Sequence, residues 1–314
     1  MSLTDELLAL FGKRVTRDAC GLDARLHFFG SIPVNDGAVI PSPGADTDEQ
    51  SQPVGGGATR AKVVALVSVN GGVGRSSLVT ALSSGMQRQG ESVLALDLDP
   101  QNALCHHLGL DSSVPGIGCA SLQNTQWAQC RQAGFAGAQV IPFGDTDTQQ
   151  QETLQGWLKR EPDWLAQQLA GLRLGEHQTV IIDTPAGNNV YFHQALNLAD
   201  GVLVIARADA ASLATLDQLD SLLAPYLERE RAPAVQFVIN HLDENNAIQL
   251  DMVEAFKQRL GTVPLQVHGD TAISEAQACA ADPLDVRTVS LAVDDIHDLS
   301  RVVKALGKRF QGAV

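Results

Sequence analysis

The sequence predicts an α/β protein, a mostly parallel sheet with helices on both faces, preceded by an N-terminal extension. Three observations carry that reading. From residue 62 onward, short apolar runs rich in β-branched residues recur, each bounded by polar or turn residues and too short for a buried helix. Between them lie stretches whose apolar residues fall at helical spacing. A glycine-rich turn joins the first run to the first of these stretches.

Taken in order, residues 1–40 differ from the rest of the chain. Thr4 is placed to cap a short amphipathic pattern carrying Leu7, Leu8, Leu10 and Phe11, and the apolar cluster LHFFGSIPV comes after it. So short a helix is unstable alone in water; the segment reads as a docking extension for another protein, the alternative being that it folds back onto its own domain. Residues 41–61 are polar, rich in glycine and without periodicity, as a flexible linker is. The main domain spans 62–314. Its expected strands are VVALVSV (63–69), SVLALDL (92–98), AQVIPFG (138–144), TVIIDT (179–184), GVLVIA (201–206) and VQFVIN (235–240). Helices are expected at 76–89, 163–172, 211–230 and 248–260. The tail LSRVVKALGKRF (299–310) reads as a closing helix on the sheet. Its basic residues, Lys304, Lys308 and Arg309, are few for a helix lying in a membrane surface.

Bulk composition narrows the function. Acidic residues outnumber basic ones 36 to 22, a net charge of −14, which disfavours nucleic acid and anionic lipid as partners unless a local basic patch exists. Five cysteines without paired or Cys-x-x-Cys spacing read as free thiols of a reducing compartment. No apolar stretch approaches the ~20 residues of a membrane span, and the expected location is cytoplasmic.

The turn SVNGGVGRSS (68–77) has the parts a phosphate site needs. Gly71, Gly72 and Gly74 let backbone N–H groups converge on oxygens without Cβ interference, and the helix behind them offers its positive end. Ser76 carries a hydroxyl where Mg²⁺ would be ligated, with Ser77 in support. Arg75 stands where a lysine is usual. ALDLDPQNAL places Asp97 at the end of one strand and Asp99 just beyond it; VIIDTPAGNN ends another strand at Asp183. Any one of these aspartates fits a helix cap; three in order, each after an apolar strand, fit a ligand edge.

These three motifs resemble those of the MinD/ParA group of deviant-Walker P-loop ATPases. Asn-Gly-Gly-Val-Gly-Arg-Ser-Ser stands for the group's Lys-Gly-Gly-x-Gly-Lys-Ser/Thr-Thr. Asp-Leu-Asp-Pro-Gln and Asp-Thr-Pro-Ala-Gly stand for its two switches. The resemblance implies an ATPase domain that binds ATP and Mg²⁺ through Gly71, Gly72, Val73, Gly74, Arg75, Ser76 and Ser77, and a homodimer with nucleotide at its interface. It further implies that Asp99 orients the attacking water, that Asp97 supports the metal side and that Asp183 holds Mg²⁺ through water. Asn240 would recognise adenine, and Pro283 would pack against the base.

Within the group, IPFG (141–144), the stretch 183–213 and the loose phosphate loop are most similar to the MinD-like proteins of bacterial cellulose-synthesis operons. That similarity implies partners among cellulose synthase complex proteins or a small accessory protein, and recruitment to the inner membrane through them. Two departures bear on activity. Asn70 replaces the lysine that reaches the partner's nucleotide, and Arg75 replaces a compact ammonium with a planar guanidinium. Binding with slow or absent hydrolysis is therefore expected. The alternatives are a ParA-type partition ATPase and a nucleotide-free pseudo-ATPase acting as an interaction module.

Overall fold

The computed structural model describes residues 60–285 and 290–306. Apart from Arg60 and Ala61, the expected docking extension and linker lie outside the described residues, as do Lys308 and Arg309. One sheet holds eight strands: β1 (Lys62–Val67), β2 (Ser92–Asp97), β3 (Gln132–Ala133), β4 (Gln139–Ile141), β5 (Gln178–Asp183), β6 (Gly201–Arg207), β7 (Ala234–Leu242) and β8 (Leu265–His268). Their order is β3-β4-β2-β5-β1-β6-β7-β8. Every neighbouring pair is parallel except β3 and β4.

The helices in chain order are α1 (Arg75–Arg88), α2 (Ala103–His107), α3 (Ile117–Leu122), α4 (Thr148–Leu158), α5 (Trp164–Gly171), α6 (Val190–Leu198), α7 (Ala210–Ala214), α8 (Leu216–Leu227), α9 (Ala247–Leu260), α10 (Thr271–Ala278) and α11 (Leu291–Leu306). Both faces of β1 are covered, which explains its unbroken apolar run. Val63, Ala65 and Val67 join a core with Leu165, Phe192, Leu219 and Phe256 of α5, α6, α8 and α9. Val64 and Leu66 face the other way, onto Leu78, Leu82 and Met86 of α1 and Ile296, Leu299 and Val303 of α11.

As far as it is described, the tail is the closing helix expected. Its apolar stripe is buried, Lys304 pairs with Glu91 at 2.6 Å, and Lys62 donates to the carbonyls of Val303 and Lys304 at 3.1 Å near the negative end of α11. The single helix expected at 211–230 is instead two, α7 and α8, because the Thr215 hydroxyl takes the Ser212 carbonyl at 2.9 Å and competes with the helix ladder. The first strand stops at Val67, two residues short of expectation, because Ser68 and Val69 already belong to the turn.

Candidate nucleotide site

Ser68 to Gly74 carry the chain from the carboxyl end of β1 to the first turn of α1. Gly72 and Gly74 have φ of +72° and +86°. No side chain caps α1, so the N–H groups of its first turn are free for a ligand. Gly74 is needed twice: besides its left-handed backbone, a Cβ there would lie 2.8 Å from His241 Nε2 and closer still to Asn240 Nδ2. At Gly71 and Gly72 a Cβ would meet nothing within 4 Å, so the outer side of the loop is open.

The register of β2 against β5 sets Asp97 beside Asp183 at the same sheet edge. Both carboxylates are fully buried. Asp97 accepts the Asp99 N–H at 2.8 Å and the Leu104 N–H at 3.1 Å, one on each oxygen, and so shapes the turn that carries Asp99. Burial and the neighbouring Asp183 push its carboxyl well above the usual range. The two oxygens of Asp183 accept no hydrogen bond. Burial raises its carboxyl to about 6, against the pull of Arg75 and Ser76.

Arg75 is turned inward and is only 8% exposed. Its Nη1 donates to the Ser68 hydroxyl. Nη2 lies 3.5 Å from Asp99 Oδ2, and Nε lies 3.5 Å from Asp183 Oδ1. The charge that the sequence assigns to phosphates thus rests across two carboxylates.

The second switch is tied to the loop. Thr184 Oγ1 donates to the Leu66 carbonyl at 2.8 Å, and the Gly187 N–H donates to the Ser68 carbonyl at 2.9 Å. Asn189 caps α6 through the Phe192 N–H, while its amide donates to the carbonyls of Pro185, Ala186 and Gly187. The first switch is held by Asn102, whose Oδ1 accepts the Gly144 N–H at 3.0 Å, so the IPFG segment is its support.

Over the loop opens a cleft of about 650 Å³, within the range of small-molecule sites. Gly71 to Ser77, Asp99 and Pro185 line it, joined by His107 of α2 and Gln151 and Gln155 of α4. Sequence reasoning does not single out these last three. Adjacent residues on a helix point apart, so the sequence pair His106–His107 reads as an ordinary polar pair rather than a metal site; His106 is exposed, whereas the half-buried His107 faces the cleft. The available signal for α4 is the capping box Asp147–Gln150, which starts the helix that presents both glutamines.

Asn240 and Pro283 stand outside that cleft. Asn240 is buried, donates to the Val73 carbonyl at 2.9 Å and lines a small adjoining hollow with Ser77, His241 and Gln277. Its amide nitrogen therefore braces the loop. Pro283 lines neither space. Its neighbours Asp282 and Leu284 pack on Ser84, Gly85 and Arg88, about 12–18 Å along α1 from Ser76 at the helical rise. Asn70 is half-buried, with its amide 3.4 Å from Thr215 Oγ1.

The residues present fit a magnesium nucleotide. Among the described residues no three His, Cys, Asp or Glu side chains gather as a metal cage. Mg²⁺ needs none, since it is held by one or two carboxylates together with phosphates and water. The unbonded oxygens of Asp183 beside Ser76, and an open glycine cradle, are the protein's share of such a site.

Residues 61–303 match the family model described as cellulose biosynthesis protein BcsQ. The chain belongs to the BcsQ family. It is 28% identical over 242 residues to the cellulose biosynthesis protein BcsQ of Salmonella typhimurium, covering 76% of this chain and 92% of that protein. Among solved structures it resembles the cell-division ATPase MinD of Pyrococcus furiosus, with a TM-score of 0.64 at 20% identity, over 78% of this chain and 99% of the other. It also resembles the septum site-determining protein MinD of Pyrococcus horikoshii complexed with Mg-ADP, with a TM-score of 0.64 at 19% identity, over 80% and 98%. At those identities the likeness establishes the MinD/ParA-type fold, which the eight-stranded sheet repeats. Against the MinD/ParA pattern set out above, this chain keeps the glycines and switch aspartates and carries Asn70 and Arg75 in place of both lysines.

Proposed function

We propose that this chain is an ATP-binding, dimerising MinD-like scaffold that assembles or localises a bacterial cellulose synthesis and secretion complex, with slow or absent hydrolysis. Membership of the BcsQ family supports the cellulose setting. One observation supports the mode of action: the uncharged half of the site is whole while the charged half is altered. The glycine loop and free first turn of α1 would take the phosphates, Ser76 and Asp183 would hold Mg²⁺, and Asp99 would orient a water. The metal, when bound, neutralises charge on the phosphates. Asn70, held near Thr215, brings no charge to a second subunit, and Arg75 starts from the carboxylates. Both changes weaken stabilisation of the transferring phosphoryl group more than they weaken binding.

The test is light scattering and phosphate release on the purified full chain. ATP with Mg²⁺ should convert monomer to dimer, phosphate release should be slow, and Asn70→Lys should raise it at least about tenfold. Removing residues 1–59 should leave both ATP binding and dimerisation intact but abolish capture of the cellulose synthase proteins, since the extension is the docking element. A chain that stays monomeric with ATP, or turns over rapidly without any change at Asn70, would overturn the scaffold reading.

A further inference from the structure

The position of Arg75 has consequences for how a metal reaches the site. Its guanidinium is the buried cation facing both Asp99 and Asp183, at 3.5 Å from each, and a third tether runs to the Ser68 hydroxyl. Ser68 is itself fixed, donating to the Asn70 carbonyl at 2.7 Å. Among the described residues Asp183 has no other ion-pair partner, and no donor meets its oxygens at hydrogen-bonding distance and angle. An ionised carboxylate buried without hydrogen bonds is costly, and the cation beside it offsets part of that cost.

We propose that Arg75 is the resident cation of the Asp99–Asp183 pair, and that its guanidinium and a divalent metal are alternative occupants of that place. The inference rests on reading the cleft as a nucleotide site. Metal arriving alone meets a guanidinium already seated on the carboxylate it needs, and brings no anion into the cleft to draw Arg75 off it. Nucleotide arriving alone can draw Arg75 toward its phosphates, but it leaves Asp183 and Asp99 unpaired next to further negative charge. Only the two together complete an exchange in which Arg75 passes from carboxylates to phosphates and the metal takes Asp183. Arg75 is the first residue of α1, so its side chain springs from the rim of the loop and can serve either side.

A guanidinium suits such an exchange better than an ammonium does. Its planar fork presents several donors at once, so it bridges Ser68, Asp99 and Asp183 here and can grip phosphate oxygens bidentately there. Both states are discrete. Metal and nucleotide are therefore strongly coupled, and the coupling is reciprocal.

Calorimetry on the full chain decides it. MgCl₂ alone titrated into the wild-type protein should give no binding in the millimolar range, and should bind at least about tenfold more tightly to Arg75→Gln. In the wild type, Mg²⁺ should tighten binding of a fluorescent ADP by at least about tenfold. The proposal is overturned if Mg²⁺ alone binds the wild type as well as it binds Arg75→Gln, or if that variant gains no Mg²⁺ affinity. Should Arg75→Gln not fold, the wild type still decides: millimolar binding of Mg²⁺ without nucleotide, or nucleotide affinity indifferent to Mg²⁺, refutes it. Failure of the wild type to bind nucleotide under any condition would instead sink the reading of the cleft, while the comparison of Mg²⁺ alone on the two proteins would still test the resident cation.

Discussion

Gly71 and Gly74 sit three residues apart in one loop, yet alanine at each should do different damage. At Gly74 the backbone has φ +86°, and a Cβ would lie 2.8 Å from His241 Nε2 and nearer still to Asn240 Nδ2. The left-handed backbone costs an alanine about 1–2 kcal/mol. Forcing β7 and the loop apart adds about 1–3 kcal/mol of overpacking. Loss of the bond from Asn240 to the Val73 carbonyl removes roughly 1 kcal/mol more. Gly74→Ala should therefore lose about 3–6 kcal/mol, a large part of the ~5–15 kcal/mol typical of a domain. At Gly71 a Cβ meets nothing and lies in the cleft. Gly71→Ala should stay within about 0.5 kcal/mol in stability and weaken nucleotide binding by about tenfold, or roughly 1.4 kcal/mol. Urea unfolding without ligand measures the first quantity, and titration with a fluorescent ATP analogue measures the second. The reasoning fails if Gly74→Ala unfolds at the wild-type midpoint, or if Gly71→Ala is as unstable as Gly74→Ala.

Two further outcomes are expected. Asn102→Ala should cost about 2–4 kcal/mol in urea unfolding, because it strands the Gly144 N–H and puts alanine at φ +54°; Asn102→Gly should recover only the backbone share. His268 is subject to burial, which lowers its pKa, but Asp295 at 2.7 Å and Glu244 at 3.1 Å outweigh that and leave it raised. A raised histidine stabilises fully below its ordinary value near ~6.5 and loses that contribution as pH climbs through the folded value. Melting temperatures taken across neutral pH should show that decline in the wild type and a flatter profile in Asp295→Asn.

The strands most legible in the sequence were those buried on both faces. In β1, β2, β5 and β6, covering helices make both alternating sets of side chains apolar, so each shows as a near-continuous run, and β7 does so except at Gln236. β8 shows no such run: it is a four-residue edge strand, and of its residues only Val267 is buried. β3 is two residues long and has no pattern to read. The two switches and the loop were visible because their roles need particular residue types at particular spacings. Pro283 was placed by motif alone, and its loop packs on the far part of α1. The walls of the cleft were invisible for another reason. Gln151, Gln155 and His107 come from helices whose position depends on tertiary packing, as when Asn102 holds Gly144 and brings the segment before α4 against the first switch.

Arg75 shows most clearly what composition cannot reveal. The sequence supplies a cation beside three glycines, and chemistry alone would aim it at phosphates. The fold surrounds it with Asp183, whose oxygens accept no hydrogen bond, and with Asp99 and Ser68, so that it points toward the carboxylates. A residue so engaged can still hold phosphates, because its bonds to carboxylate and to phosphate are of one kind. It is less suited to following charge as a phosphoryl group transfers, since its fork matches one fixed arrangement of oxygens. Asn70 compounds this by bringing an amide near Thr215 where a mobile charge is usual in the wider group. On the scaffold reading proposed above, both departures would favour the bound state over the reacting one, as a protein that must persist while a complex assembles around it would require.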